Sequence, residues 1–219
     1  MSDNEIIPKN QRLFLITQGC FHILMGVFVA STVWLMAYNR DWGSMHTWHV
    51  FLSTIGFALL MAEAVAMQNP GNGFFLGYGK IARGFLHGVL MLLATTAVLA
   101  GVSIKIQDKA LNNRSHFTTT HGIVGFVSYL LTMLSFLGGI LLFFVKLVLR
   151  ICNLRPIYLR KCHTFLGISA YALGIVSLCF GLRNYFSEAS YHTNTGFIVI
   201  LGTYTGLNLI GPVKNLFSP

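Results

Sequence analysis

The chain has 219 residues, of which 54% are hydrophobic and only 10% charged, and its mean hydropathy is +0.66. Soluble domains carry roughly a quarter of charged residues, so this composition excludes an ordinary soluble domain. The several apolar runs of bilayer length make it an all-α polytopic membrane protein. The net charge of +9 does not mark a nucleic-acid binder, because the basic residues sit in short loops between apolar runs, where they set topology.

A polar N-terminal tail, residues 1–12, leads into an apolar run from Leu13 to about Tyr38. That run exceeds the roughly 7–15 apolar residues of a signal peptide, so it is read as a retained helix 1. Helix 2 is predicted over Trp48 to Met67, followed by the breaker-rich stretch N-P-G-N-G at Asn69 to Gly73. Helix 3 is predicted over Ile81 to Ile104, helix 4 over Thr120 to Leu149, helix 5 over His163 to Leu182 and helix 6 over Thr195 to Pro212. Lipid offers no partner to unpaired backbone groups, so each span is expected to be helical. With no linker between them, the six spans form one transmembrane domain, residues 13–213, and residues 214–219 are a short tail. Gly84, Gly88, Gly138, Gly139, Gly174 and Gly181 mark positions where helices are expected to approach closely.

Six spans put both termini on one face. That face holds Lys9, Arg12, Lys80, Arg83, Lys146, Arg150, Arg155, Arg160, Lys161 and Lys214; the other holds Arg40, Lys105, Lys109, Arg114 and Arg183. Basic residues favour the cytoplasm, so both termini are predicted to be cytoplasmic. Cys20 and Cys179 lie in apolar runs and Cys152 and Cys162 in one loop, which reads as free thiols.

The chemistry is carried by histidines. His49 opens helix 2, His87 lies in the second turn of helix 3, His121 opens helix 4 and His163 opens helix 5, at intervals of 38, 34 and 42 residues. Consecutive helices run in opposite directions, so His49 and His121 return to the non-cytoplasmic face and His87 and His163 to the cytoplasmic one. Two imidazole pairs in a central four-helix core, helices 2–5, are what two bis-histidine haems require. Gly125 and Gly167 follow His121 and His163 by four residues, and Gly88 adjoins His87, leaving room for a porphyrin against the helix. Arg83 shares the face of His87 and is a candidate partner for a haem propionate. A zinc site would gather four ligands at one point, and these are split between two faces. His46 and His192 read as loop residues and His22 as a helix 1 residue with no partner visible in sequence, so none of the three is taken as a ligand. His116, a turn before helix 4, is a candidate substrate contact. Glu63, near the end of helix 2, is read as solvated or hydrogen-bonded.

The motifs W-H at Trp48–His49, A-R-x-x-x-H at Ala82–His87, T-H-G-x-x-G at Thr120–Gly125 and H-x-x-x-G at His163–Gly167 resemble those of the cytochrome b561 family of transmembrane ascorbate-dependent reductases. The resemblance covers nearly the whole chain and is closest to the domain-containing branch of that family. It implies two haem b groups, one held by His49 and His121 and the other by His87 and His163. It also implies ascorbate as cytoplasmic donor and monodehydroascorbate or a ferric chelate as acceptor. A homodimer in endoplasmic reticulum or vesicle membranes is implied as well. Lys80, Arg83, Arg150 and Arg155 would attract the ascorbate monoanion, and His116 would meet the acceptor. The chain departs from the members that recycle vesicular ascorbate. It has no A-L-L-V-Y-R-like stretch before helix 3, and T-T-T-H-G stands where they have S-L-H-S-W. Two other readings use the same histidines: a haem b subunit that exchanges electrons with a quinone, and a non-haem six-helix transporter or scaffold.

Overall fold

The computed structural model describes residues 9–68, 77–151, 155–185 and 191–218, and all regular structure among them is helical. Helix α1 spans Lys9–Asn39. Helix α2, Met45–Thr54, runs through a π-helical segment, Ile55–Met61, into α3, Ala62–Ala66. Then come α4, Lys80–Leu111; α5, Thr120–Phe143; α6, Val145–Ile151; α7, Pro156–Tyr185; and α8, Tyr191–Phe217. Counting α2 to α3 as one rod, six helices are long and apolar enough to cross a membrane. The six-helix membrane fold expected from the apolar runs is therefore present.

The ends differ from the hydropathy pattern for local reasons. Helix α4 continues to Leu111, beyond the apolar run, because Lys105, Gln107, Lys109 and Ala110 are good helix formers that carry it past the membrane surface. The span expected to reach Leu149 instead breaks after Phe143: Phe144 leaves helical geometry at φ −96°, and α6 restarts at Val145. Pro156 opens α7, where its missing N–H costs nothing. Thr119 caps α5, its hydroxyl accepting the Gly122 N–H at 3.1 Å, which puts His121 in the first turn. The Asn69–Gly73 loop lies outside the described residues.

Two antiparallel pairs, α2–α3 with α4 and α5 with α7, make the centre, and α1 and α8 pack beside them. Close approach depends on particular glycines. A Cβ on Gly56 would lie 2.7 Å from a Val98 methyl, and one on Gly101 would lie 3.1 Å from Leu52. A Cβ on Gly174 would fall on the ring of Phe57, which sits in the π-helical segment at the heart of the core. Gly84 and Gly88, expected to be contact points, meet nothing within 4 Å. They fall on an outward part of α4, so helix 3 packs through Ala94, Val98 and Gly101 instead. Polar side chains inside the bundle bond to backbone: Ser128 donates to the Ala170 carbonyl at 2.8 Å and Thr132 to that of Ser128 at 2.9 Å. Cys20, Cys162 and Cys179 are free thiols.

Candidate functional site: two imidazole pairs

Four helices each bring one histidine to a pair, and the fold gathers these four two by two. The rings of His49 on α2 and His121 on α5 have centroids 6.2 Å apart and cross at 73°. At the other end of the bundle, the rings of His87 on α4 and His163 on α7 are 6.4 Å apart and cross at 88°. The second pair lies toward the face where α1 begins and α8 ends, here called the terminal face.

Each ring is tied to the antiparallel mate of its own helix. His49 Nδ1 lies 2.9 Å from the Gly101 carbonyl and His87 Nδ1 2.8 Å from that of Ala64. His121 Nδ1 lies 2.9 Å from the Ser177 carbonyl and His163 Nδ1 2.9 Å from that of Ser135. A carbonyl only accepts, so Nδ1 carries the proton in all four rings and Nε2 is left as a free lone pair, the state in which imidazole binds a metal. Such a bond behind the ligand fixes both tautomer and ring orientation. Ser177 adds its hydroxyl, 3.1 Å from His121 Nδ1 and from the His121 carbonyl.

The helices share one ruler. Fourteen residues separate His87 from Gly101, His121 from Ser135, and His163 from Ser177, while fifteen separate His49 from Ala64. The π-helical segment Ile55–Met61 lies inside that longer interval. A π-bulge takes up one extra residue within an α-helix. The irregularity in α2–α3 thus keeps its histidine and its carbonyl in register with the other three helices.

The pairs fit a haem-type iron. Two metal–imidazole bonds of about 2 Å each, with about 1 Å more from each nitrogen to its ring centre, give the observed centroid spacing. No group of three or more His, Cys, Asp or Glu side chains that could hold a metal ion exists among the described residues, so a four-ligand zinc site is absent there. Two protein ligands are what a porphyrin, which fills the other positions itself, leaves to be supplied. Arg83, one turn from His87, has a buried Nε with no hydrogen-bond partner, a donor that a propionate carboxylate would satisfy.

The glycines do more than clear space. A Cβ on Gly125 would lie 2.8 Å from Ser177 Oγ and one on Gly167 3.3 Å from Ser135 Oγ, so both let α5 and α7 close up at the anchoring serines. Gly139 and Gly181 face the His163 and His121 rings, where a Cβ would lie 3.2 and 3.0 Å from Cε1. Gly125 also lines a cavity of about 260 Å³ around His49 and His121.

That cavity brings in residues the sequence reading passed over. His46 belongs to the first turn of α2, not to a loop, and stacks on His49 at 6.2 Å and 22°. Lys105 and Lys109 line the cavity as well. Lys105 pairs with Asp108 at 2.5 Å, and Lys109 donates to the Ser115 carbonyl at 2.9 Å. Exposed His116 lines it too, from a loop in which Phe117 holds φ 53°. That left-handed conformation is strained for an aromatic residue. The H-x-x-H spacing of His46 and His49 was the available signal.

On the terminal face, Lys80 lies in the first turn of α4, Arg150 near the end of α6 and Arg155 directly before α7, all three exposed. His22 has partners after all: Glu63 on α3 and Tyr204 on α8. His192 falls in the first turn of α8.

The model of a family described as eukaryotic cytochrome b561 matches residues 48–188, which hold all four paired histidines. The chain is 28% identical to the mouse transmembrane reductase CYB561D2 over 87% of its own length and 85% of the relative's, and the human protein of that name matches at the same levels. The mouse probable transmembrane reductase CYB561D1 is 23% identical over 88% of this chain and 83% of its own.

Proposed function

Because this chain belongs to the eukaryotic cytochrome b561 family of membrane reductases, we propose that it passes single electrons across the bilayer, from ascorbate in the cytoplasm to monodehydroascorbate or a ferric chelate on the other side. The observation that carries this reading is the two imidazole pairs, each with free Nε2 lone pairs, at opposite ends of one bundle. Haem b follows from the family, and we assign two such groups, one to each pair. Bound haem would supply an iron that changes by one electron, and each imidazole pair would hold one such group.

His49 and His121 would hold one group and His87 and His163 the other, each ring oriented by its backbone carbonyl. Arg83 would meet a propionate, and Gly125 and Gly167 would lie against the porphyrin planes. The excess of basic residues assigns the terminal face to the cytoplasm. There Lys80, Arg83, Arg150 and Arg155 raise the local concentration of an anionic donor. On the opposite face, His116 with Lys105 and Lys109 would receive an anionic acceptor. The protein would work as a homodimer in endoplasmic reticulum or vesicle membranes.

The test is a haem count on purified protein, followed by ascorbate titration of liposomes loaded with a ferric chelate. Two haems per chain, partial reduction by ascorbate and ferrous chelate inside are expected. A preparation with no haem spectrum overturns the reading, and reduction by a quinol but not by ascorbate replaces the donor.

A further inference from the structure

Among the described residues, the bundle holds one other cluster of titratable side chains within the membrane, outside the two pairs. His22 of α1, Glu63 of α3 and Tyr204 of α8 meet at a point. His22 Nδ1 lies 2.8 Å from Glu63 Oε1, Tyr204 donates to the same oxygen at 2.8 Å, and its Oη lies 2.9 Å from His22 Nδ1. Tyr204 is fully buried, the His22 side chain is 10% exposed and that of Glu63 25%.

An ionised carboxylate is costly in a bilayer and is retained where it is compensated and used. Here one carboxylate oxygen takes two hydrogen-bond donors, which compensate it inside the bundle. The carboxylate, imidazole and phenol are joined by hydrogen bonds, so a proton taken up by the cluster can be shared among them.

Two features connect this capacity to the site. Ala64, next in chain to Glu63, supplies the carbonyl that anchors His87. One turn from His22 toward the terminal face stands Gln18, 1% exposed, with neither amide atom hydrogen-bonded. A buried amide without protein partners is the kind of group that internal water satisfies, and Gln18 lies between the cluster and that face. The titratable groups facing Glu63 are His22 from α1, Tyr204 from α8 and Tyr171 from α7. From α4 comes His87, through the Ala64 carbonyl.

We infer that His22, Glu63 and Tyr204 form a redox-linked proton site. It takes one proton from the terminal face when an electron occupies the His87/His163 end, and returns it when the electron leaves. The electron comes from the one-electron donor of the proposed function, on which this inference rests, and the proton from water at that face. One N–H or O–H bond forms on reduction and breaks on oxidation. The charge added near His87 is thereby neutralised within the membrane.

The experiment is a redox titration of the full chain in nanodiscs at a series of pH values, following the two haem signals separately. In the wild type, the signal assigned to His87 and His163 should lose affinity for its electron as pH rises. The limit is tenfold per pH unit, about 59 mV for a one-electron couple. Glu63→Gln should flatten that dependence and leave the other haem unchanged. Redox-difference infrared spectra of wild type with isotope-labelled glutamate or histidine should show a protonation change on reduction, a readout needing no variant. Pure cross-bracing of α1 and α8 would give neither result. Potentials independent of pH with both haems present, or a slope retained in folded Glu63→Gln, overturn this inference alone. A chain that binds no haem overturns it together with the proposed function.

Discussion

Ser177 holds His121 at two points, its backbone carbonyl 2.9 Å and its hydroxyl 3.1 Å from the same Nδ1, while Gly125 on α5 makes room for that hydroxyl. The three residues form one packing unit, and they should respond to mutation as one. Gly125→Ala puts a methyl 2.8 Å from Ser177 Oγ and should destabilise the protein by about 1–3 kcal/mol, the usual cost of overpacking. Ser177→Ala keeps the carbonyl anchor and should cost less. The double variant should recover most of the loss from Gly125→Ala, read as thermal stability in detergent. Strict additivity would show that the hydroxyl does not meet position 125.

The π-helical segment makes a sharper prediction. Deleting Leu59 shortens the His49–Ala64 interval to the fourteen residues found in the other three helices, so α2–α3 should become regular and keep both anchors. Deleting Leu131 from α5 turns everything beyond it by about 100° relative to His121, and should displace the Ser135 carbonyl from His163. Haem spectra of the two deletions should therefore differ. Loss of signal in both would show that the π-helical segment does not compensate for an added residue.

Pairing is testable with single substitutions. His49→Ala and His121→Ala should perturb one haem signal, and His87→Ala and His163→Ala the other. Gly181→Ala and Gly139→Ala crowd the His121 and His163 rings respectively. Each should shift only the signal of its own pair, without loss of haem. A signal shared between His121 and His87 would contradict the assignment.

Arg83 should report the donor side. Arg83→Leu removes the buried Nε that lacks a partner and one of the charges proposed to draw in ascorbate. Rapid-mixing reduction by ascorbate should slow by about tenfold, in line with the steering effect of charged clefts. Its dependence on salt should weaken, because exposed charges are screened within about 10 Å at 0.1 M. Reduction by a neutral donor should change little.

The six spans are legible because each apolar run is long, and the histidine pattern because one imidazole stands near an end of each of four helices. The π-helical segment is hidden within I-G-F-A-L-L-M, an apolar run with no breaker, and only the anchor spacing of the folded chain exposes it. The His22 cluster is hidden for another reason. Its members lie 41 and 182 residues apart, and only the packing of α1 and α8 on the core joins them. The break at Phe144 escapes hydropathy because both sides of it are apolar.

The four anchors behind the imidazoles are main-chain carbonyls, offered by Ala64, Gly101, Ser135 and Ser177. A helical carbonyl already accepts its own i+4 N–H and still has a lone pair to give. No side-chain replacement at those positions can delete the acceptor, provided the helix persists and the new residue fits. Much of the apparatus that aims the four Nε2 lone pairs is therefore written in backbone geometry. Residues there can drift over evolutionary time while the rings stay pointed the same way.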